Sequence, residues 1–554
     1  MIGKVSIRAV GLVLAAFLLA GPVWAGGQGE PMDPDAPLEF TMFSSDVNSQ
    51  YDDFESPVAQ EIARRTGVTL SMEYPVGNSD ERVQLMAASG DYPDLLFAKG
   101  SSNVVVNAGG FVDMTGYIEE KGENIREMYG QFLTRLRWSP EDPSIYILNS
   151  NPIGEQTWEP PNGFQLQHAV VKELGYPEIR TVKDFENAVR EYAERYPEIN
   201  GQRTIPWMLN MDDWRILIDV TNPAVFATGQ YGDDGEWFID QETLEPIIHH
   251  RRPVTREYFR WVNHMYHEGL LDPESFTQPH DQYEAKIASG RVLGLSTAQW
   301  QINQPETALR QAGTPERTYG FYPVTLNEDI PYRAAFYPAG DSFGWGVGIT
   351  VDNPYPERAF EFLDWMASEE SNVLRQWGIE GEHYDVVDGR RVQKDWVREG
   401  RESDEFFGRE TGIDVYAYPF PRYGRGVLDS SGNPFVPITT ESIIENYTEV
   451  EKEVLAAYGA TMWRDLFPTD FGDNVKPYGY AWQLSIASGT DPHVIWQRVQ
   501  EINWRRIPES ILAPRDEFDA VWDSYQQELT DAGVEELEEY FAGLLRARVE
   551  FWSE

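Results

Sequence analysis

The sequence predicts an α/β protein of at least two lobes, on three observations. Apolar residues alternate between strand and helix spacing from residue 38 to 97, a second stretch of the same kind begins near Pro160, and 554 residues exceed what one hydrophobic core holds. In chain order, Leu38, Phe40 and Met42 sit at strand spacing. Ser56-Pro57 starts a helix with proline in its first turn, and Gly67 stops it. Val68, Leu70 and Met72 alternate again, and the spacing predicts a helix over 80–88 with Val83, Met86 and Ala87 on one face, ended by Gly90. Pro93-Asp94 then introduces the apolar run Leu95-Leu96-Phe97. This βαβαβ order predicts a parallel sheet with right-handed crossovers.

In the second region Thr181 to Asp184 reads as a capping box, followed by Phe185, Val189 and Tyr192 at helical spacing until Pro197. Residues 256–271 read as a helix, 344–351 as a strand, and Asn353-Pro354 as the lead into a helix burying Phe360, Leu363 and Trp365. Two helices, opened by Phe518 and separated by Gly533, close the chain.

Composition narrows the function classes. With 91 acidic against 45 basic residues the formal charge is −46, which argues against nucleic-acid or membrane-surface binding. Lys4 and Arg8 precede an apolar run from Ala9 to Ala20 and a small-residue site ending at Ala25, the pattern of a secretory signal peptide over 1–25. A flexible lead-in over 26–36 is expected to follow, and the product to be periplasmic or secreted. Cysteine is absent, so the expectation includes no disulfide, no thiolate metal site and no lipidated cysteine.

In open α/β sheets ligands sit beyond the carboxyl ends of the strands. Those loops hold Ser45, Asp46 and Asn48 after the first strand and Lys99 after the third. Trp214, Trp300 and Trp345 stand beside turn or polar residues, where a cleft could use an aromatic face against a pyranose ring. Several other patterns have blander readings. His264 and His267 lie three apart but lack zincin spacing, so packed or solvated histidine is expected. Gly344-Trp345-Gly346-Val347-Gly348 leads into a strand and lacks a phosphate loop's Lys-Ser/Thr end. Glu380 and Glu382 could be imagined as a glycosidase pair, but neighbouring loop positions do not set a catalytic separation.

Five segments in order resemble extracellular solute-binding protein family 1, in its large branch that includes alginate-oligosaccharide-binding proteins. They are Met86 to Phe97, which contains Ala88-Ser89-Gly90-Asp91-Tyr92-Pro93-Asp94, then Tyr266 to Phe276, Ile287 to Arg291, Gly378 to Tyr384 with Asp388-Gly389, and Glu517 to Trp522 followed by Gly533. The resemblance implies a type II periplasmic-binding fold, with two α/β lobes joined by crossing hinge strands and the solute in the cleft between them. The expected lobes are 37–155 with 335–375, and 156–334 with 376–554, the latter carrying a helical extension. It also implies a monomer, not an enzyme, that binds an oligosaccharide or other polar solute and docks on ABC permease subunits, with Glu382 and Tyr384 shaping the cleft. A secreted carbohydrate hydrolase or lyase is the rival reading. Some members carry a calcium loop after the helix ending near Tyr196; here Pro197 to Thr204 offers one acid, Glu198, and the amides Asn200 and Gln202 beside an arginine, too few oxygens, so no metal or other cofactor is expected. The acidic surface disfavours a polyanionic sugar unless a local arginine cluster overrides it.

Overall fold

The computed structural model describes residues 36–341, 344–404, 406–471, 474–487 and 489–553; the expected signal segment and nearly all of the lead-in lie outside them. Strands β1 (Leu38–Ser44), β2 (Val68–Glu73) and β3 (Leu95–Phe97) run parallel in the order β2-β1-β3. β1 is buried on both faces, with Phe40 and Met42 facing one cluster and Phe43 another. The crossover helices carry the stop signals read from the sequence. In Pro57–Thr66 the Ser56 side chain accepts from the amide of Ala59, and Gly67 ends it in the left-handed region. Ser79–Ser89 is capped by Asn78 and ended by Gly90 at φ 69°.

β4 (Leu148–Asn149) closes the far edge of this sheet before the chain crosses to a second one. That sheet starts with β5 (Asn162–Gln167), and the capping box at Thr181 opens the helix Val182–Arg195. Residues 198–203, read from sequence only as a stretch poor in ligands, form a hairpin of β6 (Glu198–Ile199) and β7 (Gln202–Arg203). Asn200 and Gly201 both have positive φ, the signature of a type I′ turn. β8 (Ile205–Met208) follows, then a second hairpin, β9 (Trp237–Ile239) with β10 (Pro246–Ile248). The helix predicted over 256–271 spans Pro253–His267, because Gly269 turns left-handed and Leu271 leaves to bridge Trp207. β11 (Val292–Ala298) and β12 (Tyr319–Tyr322) complete the order β12-β5-β11-β8, in which only β11 and β8 are parallel.

The chain then returns to the first sheet. β13 (Gly346–Ile349) inserts antiparallel between β3 and β4, so that sheet is mixed rather than parallel throughout. The glycine run here serves close approach: a Cβ on Gly346 would fall 2.1 Å from the Leu148 carbonyl oxygen. An exposed hairpin, β14 (Tyr384–Val387) with β15 (Arg390–Gln393), follows.

Each sheet has its own core. The first gathers Phe40, Leu95, Val347 and Phe360 and also Val397, Phe407, Ile413, Val415, Tyr416 and Phe420. Residues 397–420 therefore belong to the first lobe, against the expected boundary at 375, because apolar side chains after that point close the first core. The second core takes the 447–545 segment. Crossing segments run side by side between the lobes: Ile153 pairs in parallel with Tyr423, and its amide donates to the Arg422 carbonyl at 2.9 Å. No helix among the described residues is long and apolar enough to cross a membrane.

His168 gives the second core a measurable pH dependence. Its ring stacks on Trp463 at 5.5 Å, neither ring nitrogen has a partner among the described residues, and burial pushes its pKa down to about 3. The unfolded chain takes up this proton below pH 6.5 while the folded one stays neutral, so stability falls as pH drops from 6.5 towards 3, by about 2 kcal/mol at pH 5. His168→Phe is expected to gain that amount over the parent at pH 5 relative to pH 7.5 in urea unfolding. A difference between the two proteins that does not change with pH would remove His168 as the cause.

Candidate functional site

In the first lobe the carboxyl ends of β1 and β3 place three of the predicted residues together. The Ser44 hydroxyl donates to the Asp46 carbonyl at 2.9 Å, and Asn48 accepts from the Gln50 amide at 2.9 Å, so the 44–50 loop is built from local side-chain turns. Asp46 accepts from Lys99 at 2.6 Å on one oxygen and from the Tyr418 hydroxyl at 2.6 Å on the other. The Lys99 ammonium also lies 4.7 Å from the centre of the Trp345 ring. The pairing of Val347 with Phe97 brings Trp345 to this end of β3. Ser45 is buried behind the loop, its amide donating to the Phe97 carbonyl at 2.9 Å.

Asp46 and Asn48 line a cavity of about 300 Å³ together with Tyr74, Asp414, Tyr416 and Tyr418, among others; Ser45, Lys99 and Trp345 are not among its lining residues. Tyrosine suits such a wall, since it offers an apolar face and a polar tip. Burial pushes the Tyr74 and Tyr418 hydroxyls upward, and Asp46 adds to the shift of Tyr418, so both stay protonated. The wall 414–420 was not anticipated from sequence. It is held by the fully buried Arg375, whose guanidinium donates to the carbonyls of Tyr416 at 2.9 Å and Pro421 at 2.8 Å. The Asn48 amide side chain donates to the Val415 carbonyl at 3.1 Å and ties the wall to the first loop.

In the second lobe β8 and β11 end on the same side, and the segments beyond them carry Trp214 and Trp300. The two indoles stack at 6.0 Å and 15°, with 45% and 53% of their surfaces exposed. Arg215 lies 4.9 Å from the Trp214 ring centre. The segments that carry them are tied together by Asp219, fully buried, a residue the sequence reading did not single out. It accepts from Thr297 and from Gln301, both at 2.7 Å, and from the Asn210 amide at 3.1 Å, joining both strand ends to the first turn of the helix Gln299–Gln311. Burial raises its pKa to about 7. A lone acid inside the apolar run from Ile216 to Ala227 was the signal available.

A third aromatic group bridges the lobes. Trp345 meets Trp482 at 4.8 Å, and Trp482 stacks on Tyr480 at 5.4 Å. That segment is anchored by a Lys476–Asp234 ion pair of 2.9 Å with neither side chain exposed. Asp234 also accepts from the Ala481 amide at 3.0 Å and the Tyr478 hydroxyl at 3.2 Å, and burial raises it to about 6.

The structure does not bring Glu382 and Tyr384 to this region. Gly378 to Tyr384 is a turn in which His383 accepts from the Ile379 amide at 2.9 Å. Tyr384 is buried against Trp377, and Glu380 and Glu382 are exposed. The turn lies beside Arg65, at the amino rather than the carboxyl end of the first sheet. His264 and His267 take different partners, Glu186 at 3.2 Å and the Ala513 carbonyl at 2.8 Å. No group of three or more His, Asp or Glu among the described residues is arranged to hold a metal ion.

A family model described as bacterial extracellular solute-binding protein matches residues 57–381. The chain is 21% identical over 407 residues to lipoprotein LipO of Bacillus subtilis, covering 68% of this chain and 73% of that one. Among solved structures it resembles alginate-binding protein AlgQ2, with 18% identity, a TM-score of 0.64 and 92% and 98% of the two chains covered. It also resembles an HMO-binding, ABC-transporter-associated solute-binding protein of Bifidobacterium longum infantis, with 11% identity, a TM-score of 0.66 and 92% and 99% covered. FusA of S. pneumoniae, solved with kestose, matches with 16% identity, a TM-score of 0.60 and 93% and 98% covered. At such identities these likenesses establish the two-lobed fold.

Proposed function

The chain belongs to the bacterial extracellular solute-binding protein family, and from that premise we propose that it captures an oligosaccharide between its lobes and presents it to the membrane subunits of an ABC importer. The observation that carries the sugar reading is the exposed Trp214–Trp300 stack beyond the ends of β8 and β11. Two half-exposed indoles stacked in parallel leave apolar ring surface open to solvent, which suits the C–H face of a pyranose ring. The cavity beside Asp46 and Tyr418 supplies the complementary chemistry, acceptors and donors for hydroxyls. The like-folded proteins named above are described as binding alginate, HMO and kestose, which supports the same solute class.

In this reading the protein performs no turnover. A solute touching both surfaces favours the closed arrangement, because the open one offers it only one of them. The proposed partner is the permease, which reads the closed form.

Thermal unfolding in the presence of neutral and acidic oligosaccharides tests the proposal, since a solute that binds the folded protein at a hundred times its Kd stabilises it by about 2.7 kcal/mol. Chromatography of the recovered sugar must show it intact, and accumulating fragments would transfer the protein to the hydrolases or lyases. Trp300→Ala is expected to weaken the bound sugar about tenfold, about 1.4 kcal/mol. Its melting point without sugar should barely move, because the ring is half exposed. Unchanged affinity would take the stack out of the site.

A further inference from the structure

We infer that the first-lobe cavity selects an uncharged, hydroxyl-rich sugar ring and rejects a uronate; the inference rests on the sugar-binding reading above. The cavity presents two carboxylates, Asp46 and Asp414, among tyrosines, and no lysine or arginine lines it among the described residues.

The cations nearby are already committed. Lys99 pairs with Asp46 and lies over Trp345. Arg401 pairs with Asp414 and donates to the Gln376 carbonyl at 2.6 Å. Behind the wall, Arg375 is fully buried on backbone carbonyls, and Arg422 donates to the Ala417 carbonyl and faces the Tyr418 ring. No arginine cluster of the kind that would override the acidic surface lines this cavity. Each oxygen of Asp46 holds one donor and has a further lone pair, which an incoming hydroxyl can use and an incoming carboxylate cannot. The net charge of −46 acts in the same direction at longer range.

Selection therefore operates by repulsion of the wrong ligand as much as by attraction of the right one. A sugar carboxylate here meets two part-exposed carboxylates, each already paired with one cation, and finds no free cation on the cavity wall among the described residues, which lowers its affinity by about tenfold.

The test is isothermal titration of the full chain with tetrasaccharides matched in linkage and length: mannotetraose against its mannuronate counterpart, and a galactose tetramer against its galacturonate counterpart. The neutral member of a pair is expected to bind about tenfold tighter, with added salt strengthening the uronate by screening the repulsion. Asp414→Asn removes one negative charge and releases Arg401, and asparagine tolerates the backbone at φ 68°. It is expected to narrow the neutral-to-uronate affinity ratio about threefold, whatever it does to the neutral sugar alone. Asp46→Asn provides the same reading if the first variant unfolds. A uronate that binds as tightly as its neutral partner, or a ratio unmoved by both substitutions, overturns the inference and leaves the sugar reading standing. Binding of no tetrasaccharide of either kind overturns both.

Discussion

Replacing Arg375 by methionine is expected to destabilise the first lobe by at least about 4 kcal/mol and to abolish solute binding. The guanidinium is fully buried, has no carboxylate partner among the described residues, and donates to backbone and hydroxyl oxygens. Nε reaches the Ser371 hydroxyl at 3.0 Å, one terminal nitrogen the Tyr416 carbonyl at 2.9 Å, and the other the Pro421 carbonyl at 2.8 Å and the Met366 carbonyl. Burial lowers its pKa to about 9, so it remains charged at neutral pH. Methionine fills the volume but leaves several carbonyls with no donor, each costing about 1–3 kcal/mol. Lysine is expected to rescue little, since one ammonium cannot reproduce a planar fork spanning three segments. The first-lobe transition in urea measures the effect; a loss below about 1 kcal/mol would mean that the wall 414–420 stands without Arg375.

Lys476→Met is expected to cost about 3–5 kcal/mol at pH 7.5, more than the double replacement Asp234→Asn with Lys476→Met, because it leaves a buried carboxylate unpaired. The pair sits at zero exposure in the segment that carries Tyr480 and Trp482 to Trp345, so the same change should loosen that contact between the lobes. The pH dependence distinguishes this account from a simple packing defect. In the parent, Asp234 is raised to about 6, above its unfolded value, so the folded state takes up the proton first and this group's cost is relieved as pH falls from 6 towards 4. Without Lys476 the folded pKa rises further, and the variant should recover stability relative to the parent between pH 7.5 and 5. A deficit constant across that range would refute the unpaired-charge explanation.

The first βαβαβ unit was legible residue by residue, because its signals are local. Ser56-Pro57, Gly67 and Gly90 act on backbone groups within four positions of themselves, and the alternation of Leu38, Phe40 and Met42 needs no partner to be recognised. Asn200-Gly201 was equally local, and its type I′ turn was passed over in a search for oxygen ligands. The loops after β1 and β3 follow from the rule that ligands sit beyond strand ends; there Lys99 meets both Asp46 and Trp345, while Asn48 turns to the Val415 carbonyl. The same reading misplaced Glu382 and Tyr384: a distinctive motif served a turn closed by His383, and motif strength carries no information about which end of a sheet a turn occupies.

Sequence alone determined the α/β class, the local elements, the acidic charge and the strand-end positions where a solute could be met, because each depends on neighbours along the chain. Tertiary structure decided the rest. The antiparallel insertion of β13, the return of residues 397–420 to the first core, the Arg375 wall and the Lys476–Asp234 anchor all join residues far apart in sequence. Their partners are chosen by burial, where a charge or carbonyl removed from water must find its complement wherever the packed chain has placed it.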